Sequence, residues 1–164
     1  MASSPSSSHR PLEGKVAVVT GSSRSIGASI ARRLAADGAD VIINFHKVAV
    51  EAERTAYNIN SKDGGRAYVV KADVSTIDGG RFLLEECTRL IGVPDILVLN
   101  AGYIGHKPLD ELEETDFDAQ INTHVKGPLF MVQAVSHTLK PGAVGLLLLF
   151  LVPVLTSYLV QAVV

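Results

Sequence analysis

What most constrains this chain is an alternation of short β-branched runs with amphipathic stretches, punctuated by Gly-bearing turns. Lys15 to Thr20 (KVAVVT) carries almost no polar residue, as a strand buried on both faces requires. A Gly/Ser turn follows, then a helix over Ile26 to Ala36. There Ile26, Ile30 and Leu34 recur every four residues, Arg32 and Arg33 lie off that stripe, and Gly38 stands where a helix end is closed. Further strands are expected at Val41 to Phe45, Arg66 to Val70 and Asp95 to Leu99, with helices over Ala49 to Ser61 and Ser75 to Leu90. Thr115 and Asp118 have capping-box spacing and open a long helix whose apolar residues include Phe117, Ile121, Val125 and Leu129, with a bend expected at Pro128. Strands alternating with helices yield parallel β-α-β units with right-handed crossovers, so the expected fold is α/β with a doubly wound parallel sheet.

Composition sets the outer bounds. The 164 residues are 47% hydrophobic and 20% charged, enough for one domain with a core and unlike a disordered chain. A net charge of -2 supplies no basic stripe for phosphate backbones, which excludes nucleic acid as the expected partner. Cys87 is the single cysteine, so neither an internal disulfide nor a cysteine zinc site can form; Glu85 and Glu86 beside it oppose a thiolate and point to a buried, inert thiol. This usage fits a reducing, cytoplasmic setting. No metal site is expected, because His9, His46, His106, His124 and His137 share no ligand spacing. The acidic run from Asp110 to Asp118 reads as dipole compensation at a helix start.

The ends differ from the middle. Residues 1–11 (MASSPSSSHRP) have no apolar face to bury and are expected to form a disordered tail, and residues 12–142 the folded domain. Residues 143–164 contain no Asp, Glu, Lys or Arg. That tract is long enough to cross a bilayer, which takes roughly 17–25 apolar residues.

The first turn carries the chemistry. In Thr20 to Gly27 (TGSSRSIG), Gly21 lets the chain leave the strand sharply and Gly27 allows close backbone approach. The helix that starts there offers unpaired N–H groups and a positive dipole end to a phosphate. In this context the chain resembles the N-terminal part of a short-chain dehydrogenase/reductase, from about Gly14 to Pro141. The family's Thr-Gly-x-x-x-Gly-x-Gly motif is matched at Thr20, Gly21 and Gly27, with Ser25 in place of the middle glycine. Asp73 and Val74 match its adenine-contacting Asp-Val. Leu99, Asn100, Ala101 and Gly102 match Asn-Asn-Ala-Gly at all but the first position, and Asn122 sits where the family keeps the asparagine of its catalytic tetrad.

The resemblance implies a Rossmann-like NAD(P)-binding sheet, here truncated after about the fifth strand, and oxidoreduction of a small carbonyl/alcohol substrate. Cofactor contacts are implied at Gly21, Ser23, Arg24, Ser25, Ile26 and Gly27, at Asn44 and His46, at Asp73 and Val74, and at Asn100, Ala101 and Gly102. NADP is expected over NAD. No carboxylate follows the second strand until Glu51, and the Arg24 guanidinium suits a 2′-phosphate. The resemblance leaves the oligomeric state unassigned.

The catalytic half is what the sequence lacks. The family uses a tyrosine as acid/base, with a lysine four residues later to lower its pKa, since a free phenol titrates near about 10. Here Tyr158 is followed four places on by Ala162, and no lysine follows Lys140. Tyr103 and Lys107 have the spacing but follow directly on Gly102, where the family has no catalytic residue; Ser136 and Ser157 are also out of place. Asn122 is therefore expected as a tetrad remnant. Three readings of residues 143–164 stand open: the product of altered coding sequence, a membrane helix interrupted by Pro153, or a fifth strand near Leu146 to Leu151 followed by a tail. With the sheet stopping near its fifth strand, Ile96 to Leu99 is expected to be poorly covered, and Leu146 to Val164 to drive self-association or membrane adsorption.

Overall fold

Five parallel strands take up the β-branched runs, in the order β3-β2-β1-β4-β5. They are β1 (Val16–Val19), β2 (Asp40–Phe45), β3 (Ala67–Lys71), β4 (Ile96–Leu99) and β5 (Val144–Leu147). The structure, a computed structural model, describes residues 10–62, 64–103, 107–136, 138 and 144–147. Strand order reverses between β1 and β4, and a doubly wound sheet binds ligands in the crevice at such a switch point. Of the tail expected over 1–11, residues 1–9 lie outside the described residues, as does the tract over 148–164 with Ser157 and Tyr158; Arg10 and Pro11 instead belong to a turn in which the Arg10 carbonyl accepts the Glu13 N–H at 3.2 Å. Among those described, no helix is long and apolar enough to cross a membrane.

Side chains alternate across the sheet and both faces are covered. Ala17, Val19, Val41, Ile43 and Val98 pack under helices α1 (Ser25–Ala36) and α2 (Ala49–Asn60). Val16, Val18, Ile42, Leu97 and Leu99 pack on the opposite face, with Leu83, Leu84 and Cys87 of α3 (Ile77–Leu90). Each aliphatic side chain so buried contributes about 1.5–3 kcal/mol.

The buried stripe of α1 is not the expected one. Gly27, Ala28, Ala31 and Ala35 face the sheet, Ile30 and Leu34 rim the core, and Ile26 is 52% exposed. Small residues let the helix axis approach the sheet closely, and this outranks the burial of larger side chains at the same period.

The long helix is two helices. α4 (Glu114–Ile121) and α5 (Gly127–Val135) are joined by a π-turn over Asn122–Lys126, in which the Gly127 N–H reaches back to the Asn122 carbonyl. Pro128 therefore stands in the first turn of α5, directly after the π-turn, where the helix changes register. The capping box is Glu113 with Asp116, not Thr115 with Asp118. The expected apolar stripe is likewise displaced: Phe117 and Leu129 are 57% and 61% exposed and Val125 is also exposed, while Gln120, His124, Gly127, Met131 and Val135 turn inward.

Strand β4 is well covered, contrary to expectation. Leu97, Val98 and Leu99 are buried, and the free edge pairs in parallel with β5 from Ile96↔Val144 to Leu99↔Leu147. The sheet thus runs past residue 142. The strand begins at Val144, two residues before the expected Leu146, because pairing with all four residues of β4 sets its register; residues 148–151 lie outside the described residues.

Candidate functional site

At the switch point, two loops are laced together by buried polar groups. Thr20, just past β1, accepts the backbone N–H groups of Asn100 and Ala101 on its hydroxyl, each at 2.9 Å. The Asn100 amide returns two bonds, to the carbonyls of Thr20 at 2.9 Å and Gly21 at 3.3 Å. Leaving either partner unmade in this dry layer would cost about 1–3 kcal/mol.

Two glycines make the cradle. Gly21 has φ +62°, and a Cβ there would stand 2.9 Å from the Ala101 Cα. A Cβ on Gly27 would stand 2.5 Å from both the Asn100 Nδ2 and the Gly21 carbonyl. Above this turn α1 begins at Arg24 with no side-chain cap and no acidic residue in its first turn. By contrast, Thr76 caps α3, accepting from the Gly79 N–H at 3.0 Å. The positive end of the α1 dipole is thus left for an anion.

Ser25, in the place of the family's middle glycine, is the single described non-glycine residue with positive φ, +51°. For an L residue that region is strained by about 1–2 kcal/mol. Ser25→Gly is expected to relieve it and raise the melting temperature by a few degrees in calorimetry; a lowered melting temperature would show that the serine is held without strain.

The remaining expected contacts divide by where their side chains go. Asn44 is buried, and its amide serves the scaffold: Oδ1 accepts the Gly21 N–H at 3.1 Å, and Nδ2 donates to the Ala72 carbonyl at 3.1 Å. It holds the turn from below and has no side-chain group to offer a ligand. Val74 packs into the core, which leaves only its backbone for a ligand. Arg24 is exposed, with Nη1 3.6 Å from Glu51 Oε2; Ser23 accepts the Thr55 hydroxyl on its carbonyl at 2.9 Å. His46 lies 3.7 Å from Asp73. Desolvation works to raise the Asp73 pKa, but hydrogen bonds from the Ser75 hydroxyl and N–H, with His46 and Lys47 nearby, outweigh it and hold it below the usual carboxylate value. Cys87 is buried away from the crevice, and desolvation pushes its thiol up to about 12, as an inert core residue requires.

Sequence reasoning passed over three residues here. Ser22 is fully buried, donates to the Val19 carbonyl at 2.6 Å and accepts the Asn44 N–H at 3.0 Å. Thr20 belongs to the quoted motif, but its bridging role follows only from the pairing of β1 with β4. His124 is 3% exposed; its ring stacks on Tyr103, its Nε2 lies 3.0 Å from the Tyr103 carbonyl, and a Cβ on Gly102 would stand 2.7 Å from its Cε1. Asn122 enters through its backbone carbonyl in the π-turn, so the side chain that the turn brings against the Gly102 loop is His124.

Comparison with known proteins decides the family: residues 15–149 match the short chain dehydrogenase model. This chain belongs to the short-chain dehydrogenase/reductase family. The family match extends into the apolar tract, where β5 completes the described sheet. An uncharacterized oxidoreductase of Methylorubrum extorquens is 40% identical over 131 residues, 80% of this chain and 52% of that protein. A hydroxynaphthalene reductase-like protein of Metarhizium brunneum is 37% identical over 133 residues, 81% of this chain and 49% of its own length. The chain thus spans about half the length of the curated relatives it matches. Among solved structures, a short chain dehydrogenase from Burkholderia cenocepacia in complex with NADP superposes with a TM-score of 0.78 at 40% identity, covering 82% of this chain and 54% of that one. A blue fluorescent protein from a metagenomic library in complex with NADPH gives 0.76 at 35% identity, covering 82% and 55%.

Proposed function

We propose that this chain holds NADP(H) across the carboxyl ends of β1 and β4, as the cofactor-binding half of a carbonyl/alcohol oxidoreductase, and that on its own residues it does not turn substrate over. The observation that carries the reading is the cradle itself. Gly21 and Gly27 let the turn after β1, the start of α1 and the loop after β4 close on one another, directly under a helix N-terminus that has no side-chain cap. The leading N–H groups of α1 and the hydroxyls of Ser23 and Ser25 would bind the pyrophosphate. Arg24, His46 and Lys47 would face the 2′-phosphate, Asp73 and the Val74 backbone the adenine. Asn100, Ala101 and Gly102 would wall the crevice toward the nicotinamide. When bound, the cofactor supplies or accepts hydride. The NADP and NADPH complexes among the solved relatives support the choice of cofactor.

Catalysis by the family's route needs a proton donor matched to neutral pH, and a phenol near about 10 is matched only beside a cation. Four places after Tyr158, at the spacing the family gives its lysine, this sequence has Ala162. The test is a calorimetric titration of the purified chain with NADP+ and NAD+, followed by an NADPH-consumption assay on ketones, quinones and aldehydes. NADP+ is expected to bind more tightly, Arg24→Ala to narrow the gap by about 1–3 kcal/mol, as for hydrogen bonds to charged groups, and no turnover to appear. Equal affinities would remove the NADP assignment. Turnover abolished by Tyr158→Phe would restore a catalytic role to the C-terminal tract.

A further inference from the structure

The basic side chains at the proposed 2′-phosphate corner already face carboxylates. Arg24 Nη1 lies 3.6 Å from Glu51 Oε2, the arginine exposed and the glutamate half-buried. Glu51 sits in the first turn of α2, whose N-cap position, Val48, has no side-chain acceptor. Its charge therefore serves both the α2 dipole and the Arg24 guanidinium. On the neighbouring strand end, His46 and Lys47 both act on Asp73.

We propose that Glu51 sets how strongly this chain distinguishes NADP from NAD, by competing with the 2′-phosphate for Arg24. The inference rests on the proposed placement of that phosphate. A guanidinium presents its forked donors to a carboxylate or to a phosphate. A phosphate arriving at Arg24 must displace the Glu51 carboxylate or lie beside a like charge. NAD brings no charge to this position and leaves the pair intact. Glu51 thus weakens NADP binding selectively. Because the pair is long and its arginine exposed, its effect is about two- to fivefold in affinity and falls with ionic strength.

The test is titration of the full chain with NADP+ and with NAD+ for the parent, Glu51→Gln, Arg24→Ala and the double variant, followed by intrinsic fluorescence or calorimetry. Glu51→Gln should tighten NADP+ by about two- to fivefold, leave NAD+ unchanged, lose its effect near about 1 M salt, and be silent in the Arg24→Ala background. Weaker NADP+ binding in Glu51→Gln would mean that Glu51 orients Arg24 for the phosphate, and would overturn the inference. An equal shift for both nucleotides would assign the effect to the α2 terminus and overturn it too. So would a parent that prefers NADP+ with a Glu51→Gln variant indistinguishable from it. A parent without NADP+ preference, in which Arg24→Ala is silent, would instead overturn the cofactor reading.

Discussion

Gly27→Ala should abolish measurable NADP+ binding and lower the melting temperature by about 10 °C. Two effects oppose each other. Alanine is the better helix former, by about 1 kcal/mol, and Gly27 lies inside α1. The added methyl, however, would stand 2.5 Å from the Gly21 carbonyl, 2.5 Å from the Asn100 Nδ2 and 2.9 Å from the Ser22 Cα. Two of these atoms are backbone, and the third is held by bonds to the Thr20 and Gly21 carbonyls, so no flexible side-chain tip can swing aside. Forcing the turn apart costs about 1–3 kcal/mol in overpacking, and the broken Asn100 bonds add about 1–3 more. After the propensity gain, about 3 kcal/mol remains, which for a domain of this size is about 10 °C. Binding falls further, because the displaced backbone is the surface a pyrophosphate would lie against. A melt and a titration indistinguishable from the parent's would show that the turn can relax around the methyl and that the cradle is not built on this approach.

How far the sequence discloses the fold follows from which signals are local. The strands are legible because both faces of each are buried: Val18 and Val19 point to opposite faces, so every position must be apolar. The turn after β1 is legible because Gly21 and Gly27 are demanded by conformation and contact. Packing depth is not written locally. A period of four selects Ile26, Ile30 and Leu34, whereas the sheet takes Ala28, Ala31 and Ala35 because only small side chains permit the approach. The π-turn hides in the same way. Its extra residue turns everything after it by about 100° relative to an unbroken helix, so a stripe drawn through Phe117, Ile121, Val125 and Leu129 crosses from one register to another. His124 reaches the Gly102 loop by that displacement, and nothing in the spacing of Asn122 announces it. Asn44 illustrates a third limit: its place at the end of β2 suggests a ligand, but its amide groups are used by backbone that only the pairing of β2 with β1 and with β3 brings within reach.

Asn44 also gives the sharpest test of what holds the turn in place. Its Oδ1 accepts from Gly21 and its Nδ2 faces the carbonyls of Ala72 and Val70, with the residue 2% exposed. Asn44→Leu keeps the volume and strands the Gly21 N–H and the Ala72 carbonyl, a loss of about 2–6 kcal/mol at about 1–3 for each buried group. Asn44→Asp keeps the shape and the Gly21 acceptor, but it turns a carboxylate toward two carbonyls. At neutral pH a buried, unpaired charge costs about 3–5 kcal/mol and the Ala72 carbonyl, left without its donor, about 1–3 more, against a total stability of roughly 5–15 kcal/mol for typical domains. The aspartate variant should therefore be the less stable of the two at neutral pH. The carbonyls disfavour its charged form, so its folded pKa lies above the unfolded value of about 3.9, and protonation restores a donor to Ala72. Stability tied to a raised pKa is present in acid and lost as pH climbs through the folded pKa. The melting temperature of Asn44→Asp should thus rise as pH is lowered from about 7 toward about 4, while that of Asn44→Leu follows the parent. Parallel pH profiles for the two variants would show that the amide at position 44 fills space and does not anchor the turn.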